Sequence, residues 1–500
     1  VVLLVELVRF NRVLGRRTVE ELLQLPPMSD PIKQAAMRTY GLLTAYAYET
    51  QPLLTLPLGH RQMALTVRYG MSPAAPVAIG GYASFLCGRR RNMELGLQLS
   101  RATVKMAERS ESAPFRCRVW IYWAWFCESW VRPGLELSDL ALQVWNMSLD
   151  AGDLETALTA ACMRVLYSFW GNRPLQTILD EARSMRQQWE RSAGQAWSPL
   201  AALVEQVAAN LHAPCPDVAH LCGEFLNQDE LLARPTDDRR IVPSLGLHRA
   251  TLLYIDNRID EAHAELHASR AILKTVPLCW VPTLWHTQRA LVDAVRLPQM
   301  SLRNRWRPRK RIEQSLRALQ TLSSYNSSLC DHRIALLQAE YAAGLERDSE
   351  AMDAFDRAIS AAHKSKLPGE QAIACERAAC FYTSRGRRSV ALAYLRDASR
   401  AWSAWGAHGR VHALQQRNPE ILDVAIGASV SVAQSNQGVS DKVLSQAFDA
   451  SAVIQAAQAI ADETDVPSLL SRVMGQALEH AGARRGTLIL QVAGEPRVQA

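Results

Sequence analysis

Two histidines on one predicted helix are the first residues whose spacing could do chemistry. His263 and His267 are four residues apart with Glu265 between them, so both imidazoles would share a helix face. Such a pair can bind zinc, but an HExxH site needs its acid where Ala264 stands, and no third ligand follows at a fixed spacing. We therefore interpret both histidines as exposed or packing residues.

A second cluster, with the spacing C-x4-H-x-C, lies beside prolines. It comprises Cys215, His220 and Cys222. Zinc could bind these side chains, but the neighbouring prolines favour a turn with a partly buried thiol. Cys375 and Cys380 lie on different faces of one predicted helix, and we interpret them as core thiols. The sequence thus predicts no metal site, no catalytic residue and no cofactor-binding residue.

The densest basic patch surrounds a tryptophan. Its members are Arg303, Arg305, Arg307, Arg309, Lys310 and Arg311, with Trp306 among them. Such a patch could bind phosphates while the indole stacks on a base. Because no nucleic-acid-binding fold surrounds it, we favour a solvent-exposed basic loop and helix start, and we expect no nucleic-acid partner.

Motifs for phosphate transfer are absent from the sequence. No GxxxxGK[ST] loop is present to hold nucleotide phosphates on its backbone amides and lysine. No HRD or DFG sequence offers a kinase base or a magnesium ligand, and no histidine lies in a recognisable phospho-acceptor helix. We expect this chain alone neither to hydrolyse ATP nor to bind it tightly.

Composition predicts a folded protein outside the membrane. Hydrophobic residues make up 48% of the chain, and 56 basic against 49 acidic residues leave a net charge of +7, short of a nucleic-acid-binding footprint. Ten scattered cysteines fit a reducing compartment. The most apolar run, Val119–Cys127, is far shorter than the roughly 20 residues of a membrane helix. With no signal peptide in view, we expect a cytoplasmic location.

Helical periodicity dominates the first part of the chain. Thr18 and Glu21 form a capping box before a short helix, Val19–Leu23, and Asp30–Pro31 starts another. Further predicted helices are Val1–Leu14, Leu43–Thr50, Leu58–Tyr69, Ala83–Leu86, Met93–Arg109, Cys117–Trp130, Asp139–Ala151, Leu154–Trp170 and Pro174–Trp189. Trp120, Trp123, Trp125 and Trp130 are expected to pack between helices rather than capture a ligand.

One pattern of small and large residues occurs twice near the end of this helical part. It reads Ala351, Phe355, Ala358 and, forty residues later, Ala391, Leu395, Ala398. Each copy follows a further predicted helix, Ile334–Leu345 or Ile373–Ser384, and Asp260–Ala262 with Leu266 and Ser269 is a degraded copy. A helical pair of about forty residues is typical of a solenoid repeat, and the spacing resembles the tetratricopeptide (TPR) consensus. We predict an all-α, TPR-like α–α superhelical solenoid.

Four short segments resemble one bacterial family. They are Gly15–Pro26 with Met28–Pro31, Glu94–Gln98, Ala151–Glu155 and Tyr167–Pro174. In order and spacing they are similar to the helical-repeat region of tripartite signalling proteins, which join a Ser/Thr kinase, a predicted AAA-type ATPase, helical repeats, a GAF sensor and a histidine kinase. The resemblance implies that ATP and magnesium bind only in domains outside these 500 residues.

The C-terminal part resembles the entry to the GAF sensor of that family. We expect repeats over 1–420, a flexible linker over 421–440 (Gly427–Ser440 being small and nearly uncharged), a signalling helix over 441–463 and a truncated GAF start over 464–500. Thr487–Val492 is predicted as a strand and Gly494–Pro496 as a turn. Because the sequence starts at Val1 rather than Met and stops soon after a strand begins, we expect a piece of a longer protein.

The resemblance implies a regulatory function. The chain would offer a protein- or effector-binding solenoid between an upstream kinase and ATPase and a downstream GAF–histidine kinase, and would dimerise through its signalling helix. Two alternatives remain open: the repeat region of an ATPase-linked transcription regulator, and a freestanding TPR-like adaptor. A histidine-kinase ATP-binding domain or a helix-turn-helix beyond Ala500 would distinguish the first two.

Overall fold

The chain divides into two compact units, Val1–Ile421 and Leu422–Ala500. A computed structural model describes residues 18–51, 54–88, 92–108, 113–193, 196–233, 238–276, 278–421, 489–492 and 495–498. In the first unit the described elements are helical, which confirms the all-α prediction for that unit. None of the described helices is both long enough and apolar enough to cross a membrane.

The helices of the first unit follow one another with short connections. They are α1 Val19–Leu23, α2 Pro31–Thr50, α3 Thr55–Tyr69, α4 Ala75–Gly88, α5 Met93–Glu108, α6 Ala113–Ile121, α7 Gly134–Asp150, α8 Leu154–Trp170, α9 Leu175–Ala193, α10 Pro199–His212, α11 Gln228–Ala233, α12 Ile241–Ile255, α13 Ile259–Ala268, α14 Ile272–Thr275, α15 Val281–Arg296, α16 Trp306–Ser323, α17 Ser327–Gly344, α18 Asp348–Lys364, α19 Pro368–Ser384, α20 Arg388–Trp405 and α21 His408–Arg417. Sequential helices pack as neighbours, most closely in the pairs α7/α8, α17/α18 and α19/α20.

The predicted helix starts near the N-terminus are confirmed. The Thr18 hydroxyl accepts the Glu21 N–H at 3.2 Å, and the Glu21 carboxylate accepts the Thr18 N–H at 2.9 Å. The Asp30 carboxylate caps α2 by accepting the Ile32 and Lys33 N–H groups, with Pro31 in the first turn. The prediction that Ala83 begins a helix is wrong, because α4 already starts at Ala75. Pro76 lies in the first turn of α4, where its missing N–H removes no intrahelical hydrogen bond.

The aromatic segment is not the single α-helix that was predicted over Cys117–Trp130. α6 ends at Ile121, a π-helix covers Tyr122–Cys127, and a 3-10 turn covers Glu128–Trp130. The fully buried Glu128 carboxylate accepts hydrogen bonds from Trp123 Nε1 at 3.0 Å, from Arg101 at 2.7 Å and from Arg132 at 2.7 Å. These contacts fix the chain at Glu128, directly after the π-helix ends.

The two repeat copies occupy equivalent, buried positions. Phe355 and Leu395 are 0% and 8% exposed, and the four flanking alanines of the pattern are fully buried. Phe355 stacks at a tilt on Phe381 of the next pair, with ring centroids 5.6 Å apart. Ala262, Leu266 and Ser269 of the degraded copy are buried as well. The small–large–small pattern therefore marks the faces on which neighbouring helices pack.

The turns between the repeat helices recur every twenty residues. Glu346, Lys366, Gly386 and Gly406 all adopt left-handed φ angles between 56° and 85°. The residue after each of them donates its N–H to the carbonyl oxygen five positions back, at 2.9–3.0 Å. This is the Schellman ending of a helix, which needs one residue with positive φ. The unit is thus one helix plus one turn, and two units make the predicted forty-residue repeat.

Early and late helices of the first unit meet. Asn172, at the end of α8, accepts the Gly369 N–H at 2.6 Å, and Trp405 Nε1 donates to the Arg173 carbonyl oxygen at 2.9 Å. A Cβ at Gly369 would lie 2.6 Å from the Trp405 ring, so only glycine permits this approach. His212 at the end of α10 likewise donates to the Gly406 carbonyl oxygen at 2.8 Å.

The described part of the second unit is an antiparallel pair of strands, β1 Ile489–Val492 and β2 Glu495–Val498. The predicted strand is confirmed for residues 489–492. The predicted turn Gly494–Pro496 is wrong for Glu495 and Pro496, which pair with Val492 and Gln491 in the ladder. The predicted helix Val1–Leu14, the linker 421–440 beyond Ile421, the signalling helix 441–463 and residues 464–488 of the GAF start lie outside the described residues.

Candidate functional site

A cavity of about 170 Å³ lies in the first unit where its early and late helices meet. Its apolar wall is formed by side chains of α8, α10, α12 and α15, and α17 and α19 contribute Leu336 and Ile373. Aromatic rings surround it: Trp125, Phe169, Trp170, Tyr254 and Trp405. An apolar, aromatic-lined cavity with few polar groups is the usual form of a small-molecule site.

Two helices that are buried on nearly every side form the centre of this cavity. In α10 ten of the fourteen residues are buried, and in α12 ten of the fifteen. A helix buried to this extent has to be covered by neighbours all round. α10 contacts both α8 and α21, while α12 contacts α15 and α19, so both are sandwiched between early and late helices.

Gln288 on α15 is a polar side chain of the cavity wall whose buried nitrogen has no partner among the described residues, and Trp125 Nε1 is another such donor. Gln288 itself is only 9% exposed. Leaving a buried donor unsatisfied costs about 1–3 kcal/mol. Thr287 beside it is satisfied, since its hydroxyl donates to the Thr283 carbonyl oxygen at 2.8 Å. Gln288 is therefore an unused hydrogen-bonding group on the cavity wall.

His248 on α12 is a half-buried ring in the same cavity wall. It lies edge-on to Phe169, with ring centroids 6.4 Å apart, and no hydrogen bond to its ring nitrogens is found in the described part of the chain. Burial lowers the pKa of His248 to about 4, because the imidazolium is poorly solvated there. At neutral pH the ring is uncharged and offers one donor and one acceptor.

The charged side chains that line the cavity are paired. Arg333 binds Glu370, and Arg240 donates to Asp238 at 2.9 Å and 3.1 Å. Burial alone would raise the pKa of Glu370, but Arg333 and His332 beside it hold that pKa down at about 2. Glu370 therefore remains a carboxylate that is neutralised by its neighbours, and this part of the wall presents an ion pair rather than a free charge.

The structure does not join His263 and His267 in a metal site. Arg289 Nη2 donates to His263 Nε2 at 2.8 Å, so that nitrogen has its lone pair occupied. Burial, together with Arg289 and Arg296, lowers the pKa of His263 to about 4. His267 is exposed, and no described acidic or thiol group completes a set of ligands with the pair. His263 is thus a packing residue, as predicted.

The cysteine–histidine cluster is assembled differently from its sequence spacing. His220 and Cys222 come together with Asp229, while the Cys215 thiol donates to the Asn210 carbonyl oxygen at 3.4 Å. The Leu221 N–H donates to Gln228 Oε1, which turns the Gln228 amide nitrogen towards His220 Nδ1 at 2.9 Å. His220 Nδ1 is therefore an acceptor, and its hydrogen sits on Nε2, facing Asp229 at 3.4 Å. This geometry favours a hydrogen-bonded turn over a metal centre.

The basic patch is partly consumed by intramolecular contacts. Arg305 donates to the carbonyl oxygens of Met300 and Pro298, Arg309 to the Tyr341 hydroxyl and Arg311 to Asp293. Trp306 remains 59% exposed, with Arg307 and Lys310 within 6 Å of its ring centroid. Cys375 is fully buried, which confirms its prediction as a core thiol, whereas that prediction is wrong for Cys380, which is half-buried.

Sequence reasoning did not find Gln288 or His248. They are forty residues apart on different helices and match no motif. The one local signal is a polar side chain on the apolar face of α15, among Trp285, Leu291 and Val292. Trp125 was expected to pack, and it does, but it also lines the cavity. Comparison with known proteins finds no family model and no curated protein that matches the chain.

Proposed function

We propose that this chain is the regulatory segment of a multidomain bacterial signalling kinase, in which the helical repeats bind an effector and pass its presence on to neighbouring domains. The observation that carries this proposal is the aromatic cavity between early and late helices, whose wall includes the unpartnered Gln288 nitrogen and the His248 ring. A ligand in that position would contact both halves of the helical array at once.

A TPR-like solenoid would suit this role. Left-handed turns spaced by twenty residues, together with repeated small–large–small faces, favour a regular stack of helical pairs. Small changes in each pair add along such a stack. Arg377 and Arg410 further link the last pairs to the end of α12, through Asn257 at 2.8 Å and Asp256 at 2.6 Å, so neighbouring layers are tied together.

The proposed downstream neighbour is a GAF sensor followed by a histidine kinase, with dimerisation through a helix near residues 441–463. The antiparallel pair β1 and β2 is compatible with the first strands of the GAF sheet. The upstream neighbours would be a Ser/Thr kinase and an AAA-type ATPase. In this arrangement the enzymatic activity belongs to the flanking domains, and the repeats modulate it.

The coding sequence on both sides of this segment tests the proposal directly. The remainder of a GAF domain and a histidine-kinase ATP-binding domain after Ala500 would support it. A helix-turn-helix there would favour the transcription regulator instead, and a stop codon close to Ala500 would favour a freestanding adaptor.

Kinase output provides a second test once the longer protein is in hand. Autophosphorylation is compared between wild type, Gln288→Met in the cavity and Gln320→Met on the exposed side of α16. We expect the Gln288 variant to change the response to cell extract while the Gln320 variant does not. An identical response of all three proteins would contradict an effector role for the cavity.

A further inference from the structure

We propose that the cavity binds an uncharged, flat heterocycle of one or two fused rings, which presents a hydrogen-bond donor and a hydrogen-bond acceptor to Gln288 and His248. This inference deepens the proposed function, because it names the chemical class of the effector for the same site. It depends on the cavity itself and holds whichever domains flank the repeats.

The size of the cavity limits the ligand. A volume of about 170 Å³ is close to that of an engineered protein cavity of about 150 Å³ that accepts benzene. A single ring or a compact bicyclic molecule fits this space, whereas a nucleotide or a peptide is too large. The rings of Trp125, Phe169, Trp170 and Trp405 provide the edges and faces against which a flat ring packs favourably.

The charges around the cavity exclude a charged ligand. Arg333 and Glu370 neutralise each other, and Arg240 is held by Asp238. A carboxylate or an ammonium entering the cavity would lose its hydration without gaining a free counter-charge. His248 does not supply one either, since its pKa near 4 keeps it neutral at physiological pH.

Gln288 and His248, both in the cavity wall, then define the polar edge of the ligand. Gln288 Nε2 is a donor and requires an acceptor on the ligand. The neutral His248 ring accepts through one nitrogen and donates through the other. A fully apolar ring would leave the Gln288 donor unsatisfied, whereas a ring with one N–H and one ring nitrogen can satisfy both residues.

A series of three rings of nearly equal size tests this inference on the purified chain. Isothermal titration at pH 7.5 compares indene, which has no polar atom, indole, which has one donor, and benzimidazole, which has a donor and an acceptor. We expect benzimidazole to bind about tenfold more tightly than indene, the ratio that one good hydrogen bond supplies. Equal affinities for the three rings, or no binding of any, would overturn the proposal.

Variants assign the effect to the named side chain. Gln288→Met should weaken benzimidazole about tenfold and leave indene unchanged, while Gln320→Met, on the exposed face of α16, changes neither. The melting temperature of Gln288→Met should equal or exceed that of wild type, since the variant removes an unsatisfied buried amide. A clear loss of stability would instead assign Gln288 a structural role and overturn the proposal.

A charged analogue completes the test. Indole-3-carboxylate keeps the bicycle and adds a negative charge, so it should bind at least tenfold more weakly than indole. Tighter binding of the carboxylate would show that a free cation serves the cavity, contrary to the pairing of Arg240 and Arg333. Because binding is measured on this chain alone, a negative result would leave the identity of the flanking domains untouched.

Discussion

Arg410 and Glu376 form a buried ion pair that joins α21 to α19: Nε donates to Oε1 at 2.9 Å and Nη2 to Oε2 at 2.5 Å. Both residues are about 95% buried, with 4% and 5% of their surface exposed. Arg410 also donates to Asp256 at 2.6 Å and to the Ile255 carbonyl oxygen at 3.0 Å. One guanidinium therefore connects three helices, α12, α19 and α21.

Removing this guanidinium should destabilise the first unit strongly. Arg410→Met leaves Glu376 and Asp256 as buried carboxylates that lack it, and breaking a buried pair typically costs about 3–5 kcal/mol. Arg417 also binds Asp256, but its side chain is 53% exposed, so Arg417→Met should cost less than about 1 kcal/mol. Urea unfolding followed by circular dichroism measures both. Equal losses for the two variants would show that burial does not set the strength of these pairs.

The left-handed turns predict opposite outcomes for two glycine replacements. An added Cβ meets open space at both Gly386 and Gly81, but only Gly386 has a positive φ, of 71°. Gly386→Ala should therefore cost about 1–2 kcal/mol. Gly81→Ala, inside α4, should be neutral or stabilising by up to about 1 kcal/mol, because alanine favours the helix. Thermal unfolding of the two variants checks this, and a neutral Gly386→Ala would argue against the twenty-residue turn register.

Half-buried histidines with lowered pKa values should make the protein sensitive to mild acid. The folded pKa of His248 is about 4, below the value of about 6.5 expected in the unfolded chain. The unfolded state therefore binds the proton first, and stability is complete above about pH 6.5 and falls as the pH decreases towards 4. His263 shifts in the same direction. The free energy of unfolding, measured by urea between pH 7.5 and pH 4.5, should fall less steeply for His248→Phe than for wild type.

The control for that measurement is His267→Phe on the exposed side of α13, which should retain the wild-type slope. An unchanged slope for His248→Phe would mean that the imidazole is solvated enough to accept a proton in the folded state. In that case the cavity would be wetter than its apolar wall indicates.

Leu395 tests the repeat pattern. The side chain is 8% exposed and packs in the main core, so Leu395→Ala should cost about 2–5 kcal/mol. Val390, on the same helix, is 37% exposed, and Val390→Ala should cost well under about 1 kcal/mol. Chemical denaturation compares the two. A negligible effect of Leu395→Ala would remove the basis for the forty-residue register.

Zinc should not stabilise the protein. In the cluster of His220, Cys222 and Asp229, the Gln228 amide keeps the hydrogen on His220 Nε2, the nitrogen that faces Asp229. Equimolar ZnCl2 should therefore shift the melting temperature by less than about 1 °C, since only a ligand that binds the native state stabilises it. A large upward shift that is lost in Cys222→Ser would show that the amide rotates and that a metal site forms.

Much of the helical architecture follows from local signals. The bounds of Leu154–Trp170 agree between prediction and structure, because Asp153 caps its start and Gly171 follows its end. The π-helix Tyr122–Cys127 could not be predicted, since it depends on Arg101 and Arg132 meeting Glu128 in space. The turn register was missed for a related reason: Glu346 and Lys366 adopt positive φ although neither is glycine or asparagine.

The cavity could not be predicted from the sequence, because it forms only where helices that are distant along the chain pack against each other. Gln288 and His248 acquire their role only when α8, α10 and α12 meet the late helices, and no spacing along the chain encodes that meeting. The candidate zinc ligands were easier to find in the sequence, but they are poor metal sites. His263 and His220 each have a ring nitrogen that already accepts a hydrogen bond. Spacing motifs detect sites whose residues are close in sequence, whereas this site is formed by polar groups on helices that are distant in sequence.

The hydrogen bond from Arg410 to the Ile255 carbonyl oxygen connects the wall of the cavity to α21, the last helix of the first unit. Ile255 lines the cavity, while its backbone oxygen holds α21, whose last residue lies four positions before the boundary at Ile421. A guest that displaces the end of α12 would therefore strain the hydrogen bond between Ile255 and Arg410. The cavity and α21 are in this way coupled through a single backbone oxygen.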